Sequence, residues 1–102
     1  MRPRHLVTLA VLSFPFAAGA APPISPDDTL AAEELAQTRC AERWPGAASM
    51  VASCVEDQFE GLLRLQQANT PPPVREACAG RWPEDFAMRA TCEAESRAVP
   101  RR

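Results

Sequence analysis

The chain has 102 residues, among them 11 prolines, 4 cysteines and 2 tryptophans but no tyrosine, and that length holds one small domain. Eleven basic residues, all arginine, stand against 13 acids for a net charge of −2, so the basic face that nucleic acid requires is missing and no nucleic-acid partner is expected. The one histidine is His5, which leaves the rest of the chain without an imidazole base, a Ser-His or Cys-His pair, or a histidine metal ligand.

Residues 1–20 read as an export signal. Arg2, Arg4 and His5 precede the apolar stretch Leu6 to Ala18, and Ala18-Gly19-Ala20 offers a small-residue cleavage pattern. The stretch is shorter than the roughly 20 apolar residues that cross a bilayer, and Pro15 interrupts it, so cleavage is expected rather than a stable membrane span. The remaining segment, 21–102, is expected to form a single small helical domain of two repeats, 25–68 and 73–98. It carries 9 arginines against 13 acids, a net charge of −4. Export places the four cysteines in a periplasmic or secreted setting where disulfides persist, and a domain this small commonly relies on such staples.

Within the domain, Ser25-Pro26-Asp27-Asp28 combines a capping serine, a proline and first-turn carboxylates, which predicts a helix start. That helix carries Ala32, Ala36, Cys40 and Trp44 at four-residue intervals and ends at Pro45-Gly46. From Ala47 to Ala68 the pattern is clearly amphipathic: Met50, Val51, Cys54, Val55, Phe59, Leu62, Leu63 and Leu65 fall within about 220°, and Glu56, Asp57, Glu60 and Arg64 occupy the rest. Asn69-Thr70-Pro71-Pro72-Pro73 reads as a stiff connector. Val74, Cys78 and Trp82 mark a short third helix, and Glu84 to Ala98 a fourth with Met88 and Cys92 one turn apart and Glu93 expected on its outer face. No strand pattern occurs, and the fold class is all-α: two tandem disulfide-stapled helical hairpins, four helices in all.

A repeat underlies this arrangement. Cys40, Ala41, Arg43, Trp44, Pro45, Met50, Ala52 and Cys54 recur 38 residues later as Cys78, Ala79, Arg81, Trp82, Pro83, Met88, Ala90 and Cys92. The shared Cys-x3-Trp-Pro followed by Met-x3-Cys resembles a motif of small exported bacterial proteins of unknown function. That resemblance covers about fifteen residues per repeat, and it implies a compact helical unit and no activity. There is a looser similarity to twin-cysteine helical hairpin proteins, whose C-x9-C spacing differs from the C-x13-C found here. The copies also diverge: Glu84-Asp85-Phe86 follows the second Trp-Pro where Gly46-Ala47-Ala48 follows the first.

Cys40 and Cys54, like Trp44 and Met50, lie at equal distances on either side of Ala47; Cys78 and Cys92, like Trp82 and Met88, do so about Asp85. One disulfide per repeat would therefore clamp two helices a turn back from each loop, with a Trp–Met contact of about 0.3–1.5 kcal/mol nearer the turn. The same repeat also permits nested bridges, Cys40 to Cys92 and Cys54 to Cys78, in a single long hairpin. Pro45 and Pro83, which would then interrupt helices at about 3 kcal/mol each, favour the local pairs.

The chemistry these residues could support is narrow. Zinc sites use closely spaced cysteine pairs, and a redox dithiol is more often C-x-x-C at a helix start, so packing and cross-linking are the expected roles of cysteine and methionine. Paired acids such as Glu56-Asp57 could serve glycoside hydrolysis, but two small hairpins hardly enclose the pocket that an enzyme needs. Arg43 and Arg81 read as helix C-terminal charges that complement the dipole. The expectation is a non-catalytic binding or structural module without cofactor or metal, whose partner is an envelope protein or a surface polymer. A thiol-redox or metal-handling role is the alternative. Val51, Val55, Phe59, Leu62 and Leu63 form the longest apolar face, wider than one short helix covers, and are the candidate face for association, self-association included.

Overall fold

The computed structural model describes residues 22–98, so the expected signal and its cleavage site lie outside the described residues. Four helices follow in order: α1 (Thr29–Arg43), α2 (Ala48–Gln67), α3 (Pro72–Arg81) and α4 (Phe86–Ala98), with no strand among the described residues. Disulfides join Cys40 to Cys54 and Cys78 to Cys92, with Cα atoms 5.7 Å apart in each pair. The fold is therefore all-α, two hairpins each stapled locally, and the nested alternative is set aside.

Helix ends follow local chemistry and shift several boundaries. The Ser25 side chain accepts the Asp27 N–H at 3.2 Å and its carbonyl accepts the Asp28 N–H at 3.0 Å, closing a turn around Pro26. Serine is thus used up in the turn, and α1 starts later, at Thr29, with Asp28 as N-cap accepting from the Ala31 N–H. The proline connector is shorter than expected, because Pro72 and Pro73 enter the first turn of α3, where a missing N–H leaves no bond unmade. Helix α4 starts at Phe86 rather than Glu84 because Asp85 caps it, its carboxylate accepting the Met88 N–H at 3.0 Å.

Both Trp-Pro turns open alike. The Trp44 and Trp82 N–H groups close α1 and α3 by donating to the Cys40 and Cys78 carbonyls, and the following proline cannot continue the ladder. The turns then differ. Gly46 takes φ 73°, a left-handed conformation natural to glycine, and the second turn, with Glu84 in that place, has no positive φ at all.

The hairpins meet through α2 and α4. Leu62 and Leu65 of α2, Phe86 and Ala90 of α4 and Ala32 of α1 make the buried apolar cluster, with Ile24 and Leu35 packed against it. The buried sector of α2 is Gln58, Gly61, Leu62 and Leu65, centred nearer Leu65 than the middle of the apolar arc. Leu63, at the arc's edge, is 53 % exposed, and Val51, Val55 and Phe59 are half-buried.

Gly61 sets how closely α2 and α4 approach, since a Cβ there would stand 2.6 Å from the Ala87 Cα. The Ala87 and Phe86 atoms it would meet are backbone at the start of α4, so neither residue yields cheaply. Gly61→Ala should therefore cost about 1–3 kcal/mol through overpacking, despite alanine's better helix propensity. Denaturant titration reads the loss, and a stabilised variant would contradict the close crossing.

Candidate functional site

Cys40 and Cys78 are buried, Cys54 and Cys92 half-buried, and every cysteine is bonded to another. No thiol is free, and among the described residues no group of three or more His, Cys, Asp or Glu side chains converges. No helix among the described residues is long and apolar enough to cross a membrane.

The repeated Trp–Met residues flank the two turns, outside the central cluster. Trp44 is 37 % and Met50 42 % exposed, and together with Arg43, Ser53 and Asp57 they border one shallow depression at the first turn. Met88 is 38 % exposed, and Trp82 is half-buried. Arg43 and Arg81 occupy the last turns of α1 and α3, where a cation opposes the negative end of the helix dipole. Of the candidate association face, only Leu62 belongs to the core; Leu63 and the partly covered Val51, Val55 and Phe59 remain at the surface of α2.

Arg39 links the two turn regions from the surface. Its guanidinium donates to Glu42 at 2.6 Å and to Glu84 at 2.8 Å. The hydrogen bond to Glu42 and the charges of both acids raise its pKa.

Polar side chains make up half of the face that α4 buries. Its buried positions are Phe86, Arg89, Ala90 and Glu93, the i, i+3, i+4, i+7 stripe expected to be apolar. Arg89, 1 % exposed, donates to three backbone carbonyls: Trp82 at 3.2 Å, Pro83 at 2.7 Å and Ile24 at 2.9 Å. The guanidinium also sits 4.9 Å from the centre of the Phe86 ring. Burial lowers its pKa, and the negative charge of Glu93 opposes that shift. One turn on, Glu93 is 1 % exposed, which corrects its expected place on the outer face.

Gln58 completes the buried polar set. Its amide oxygen accepts the Phe86 N–H at 2.7 Å and its amide nitrogen donates to Asp85 at 2.9 Å, so one side chain fixes the start of α4 against α2. The N-terminal segment is tied down by Arg89 at Ile24, and by Gln66, which donates to the Pro26 carbonyl at 2.7 Å and the Thr29 hydroxyl at 2.9 Å.

Sequence reasoning missed Arg89, Glu93, Gln58 and Gly61. A signal for the first two was present: shifted by the 38-residue period, they fall on Val51 and Val55, apolar positions of the same stripe in the first copy. Together the features define a small helical protein with two disulfide-stapled hairpins and a polar seam between them. No protein-family model, curated protein or solved structure matches the chain.

Proposed function

We propose that this chain is a small exported, non-catalytic module that works by binding, with the Trp–Met surface of each turn as its contact and an envelope protein or surface polymer as its partner. The observation that carries this reading is the exposure of three of the four repeated Trp and Met side chains. Trp44, Met50 and Met88 recur by period, yet each leaves more than a third of its surface uncovered and none contributes to the buried cluster. Core demand therefore does not account for them, whereas large apolar side chains beside a rigid, disulfide-fixed turn suit a partner's surface at low ordering cost. The disulfides themselves favour the periplasmic or secreted setting that residues 1–20 suggest.

The test is retention of the disulfide-bonded protein on envelope fractions and on isolated surface polymer, wild type beside the pair Trp44→Ser with Met50→Ser. The variant should lose retention while its stability changes by less than about 1 kcal/mol. Retention equal to wild type would overturn the surface assignment. A thiol-redox or metal-handling role requires free thiols, so titration of the unreduced protein with a thiol reagent separates it: two or more reactive thiols would favour that alternative.

A further inference from the structure

Glu93 is the one polar side chain among the described residues that is buried with no hydrogen-bond partner at either carboxylate oxygen. The three arginines around it each hold another partner. Arg89, one turn earlier, gives its N–H groups to the Trp82, Pro83 and Ile24 carbonyls. Arg97, one turn later, donates to the Thr70 hydroxyl, and Arg64 pairs with Glu60 at 2.7 Å. A buried carboxylate in this position calls for donors from outside the chain.

The structure has room for them. Between the C-terminal halves of α2 and α4 lies a cavity of about 220 Å³, lined by Glu93 together with Arg64, Gln67, Ala68, Ala94 and Arg97. A single structural water takes about 30 Å³ of liquid volume, far less than this space. A bare metal cation would meet one carboxylate and two arginines, an unfavourable set, and a simple anion would meet Glu93. Both signs of charge are present on the lining. A molecule carrying an ammonium for the carboxylate and a carboxylate for the arginines would satisfy each of them at once.

We propose that this cavity binds a small zwitterion of the α-amino-acid class, its ammonium on Glu93 and its carboxylate toward Arg97 and Arg64. The ammonium's three donors match two unbonded carboxylate oxygens, and the guanidinium groups at the rim present the planar donor geometry that carboxylates accept. The oxygens of Glu93 carry no open surface, so binding requires the carboxylate to turn into the cavity and Arg64, whose side chain is 65 % exposed, to exchange Glu60 for the ligand's carboxylate.

The experiment is a titration of the isotope-labelled, disulfide-bonded protein with glycine and L-alanine, followed by NMR, with acetate and methylammonium in parallel. Glycine or L-alanine should give saturable shifts at the backbone amides of Ala90, Glu93 and Ala94, and neither single-charge probe should reproduce them. Glu93→Gln, its fold checked in the same spectra, should weaken binding by about tenfold or more, the effect of losing a hydrogen bond to a charged group. Arg64→Gln, an exposed change that leaves the core intact, should weaken it several-fold. No saturable shift with either amino acid would overturn the proposal, as would methylammonium binding as tightly as glycine, or Glu93→Gln binding like wild type. None of these outcomes bears on the Trp–Met surfaces, which lie at the turns.

Discussion

Reduction of both disulfides should unfold the domain at ambient temperature. Each bridge closes a loop across a sequence separation of 14, which in the chain-entropy model stabilises by about 3 kcal/mol, or about 6 kcal/mol for the two. A helical domain of the described length is expected to have a total stability of only about 4–12 kcal/mol, taking about 0.05–0.15 kcal/mol per residue. The buried apolar cluster has five members, two of them alanine, so stability near the lower end of that range is expected. Circular dichroism before and after reduction reads the outcome, and a reduced protein that keeps its helicity and melting temperature would contradict it.

The two bridges should also fail differently. Helix α1 buries Ala32 and Ala36 besides Cys40, whereas Cys78 is the only fully buried residue of α3. With Cys40→Ser and Cys54→Ser, α1 keeps two anchors and should stay docked, though less stable. With Cys78→Ser and Cys92→Ser, α3 loses the attachment that holds its ten residues, and isolated helices of that length are marginal in water. Amide exchange should therefore show α3 unprotected in the second variant and α1 protected in the first. The reverse pattern would mean that α3 is held by contacts other than its disulfide.

What the sequence made legible, and what it hid, follows from the range of each signal. Helix existence rested on local patterns, and all four helices appear with ends displaced by only a few residues. The displaced starts of α1 and α4 come from the choice of cap, Asp28 in place of Ser25 and Asp85 one residue after Glu84, which propensity alone does not decide. The local disulfides were reachable because proline at 45 and 83 fixes where each hairpin turns. The polar seam was not. Whether Arg89 and Glu93 face solvent or a neighbour depends on the crossing of α2 over α4, and that crossing depends on Gly61, whose significance is invisible until Ala87 is placed against it. The width of the α2 apolar face is a signal of the same short range. A helix pattern gives the arc of apolar residues but not which part of it the partner covers, and here the partner sits over Leu62 and Leu65 and leaves Leu63 at the edge.

Arg89→Met should cost about 3–5 kcal/mol, the loss typical when one side of a buried, hydrogen-bonded charge set is removed. Methionine matches much of arginine's length but supplies no donor, so the carbonyls of Ile24, Trp82 and Pro83 lose their charge-assisted bonds together. The damage should reach two distant places. The 22–28 segment would lose its hydrogen bond at Ile24 and keep the bond from Gln66 and the apolar contact of Ile24, so proteolysis should begin there; and the second turn would lose the bonds that hold Trp82 and Pro83 against α4. Arg89→Lys should recover only part of the loss, because an ammonium on a flexible stem cannot span three carbonyls as the guanidinium fork does. Glu93 would also lose the buried positive charge of Arg89, so adding Glu93→Gln to Arg89→Met should recover some stability, a coupling that a double-mutant cycle measures directly. Denaturant unfolding of the set decides the matter: a loss below about 1 kcal/mol for Arg89→Met would mean that the seam is incidental and that the disulfides with the small apolar cluster hold the hairpins together unaided.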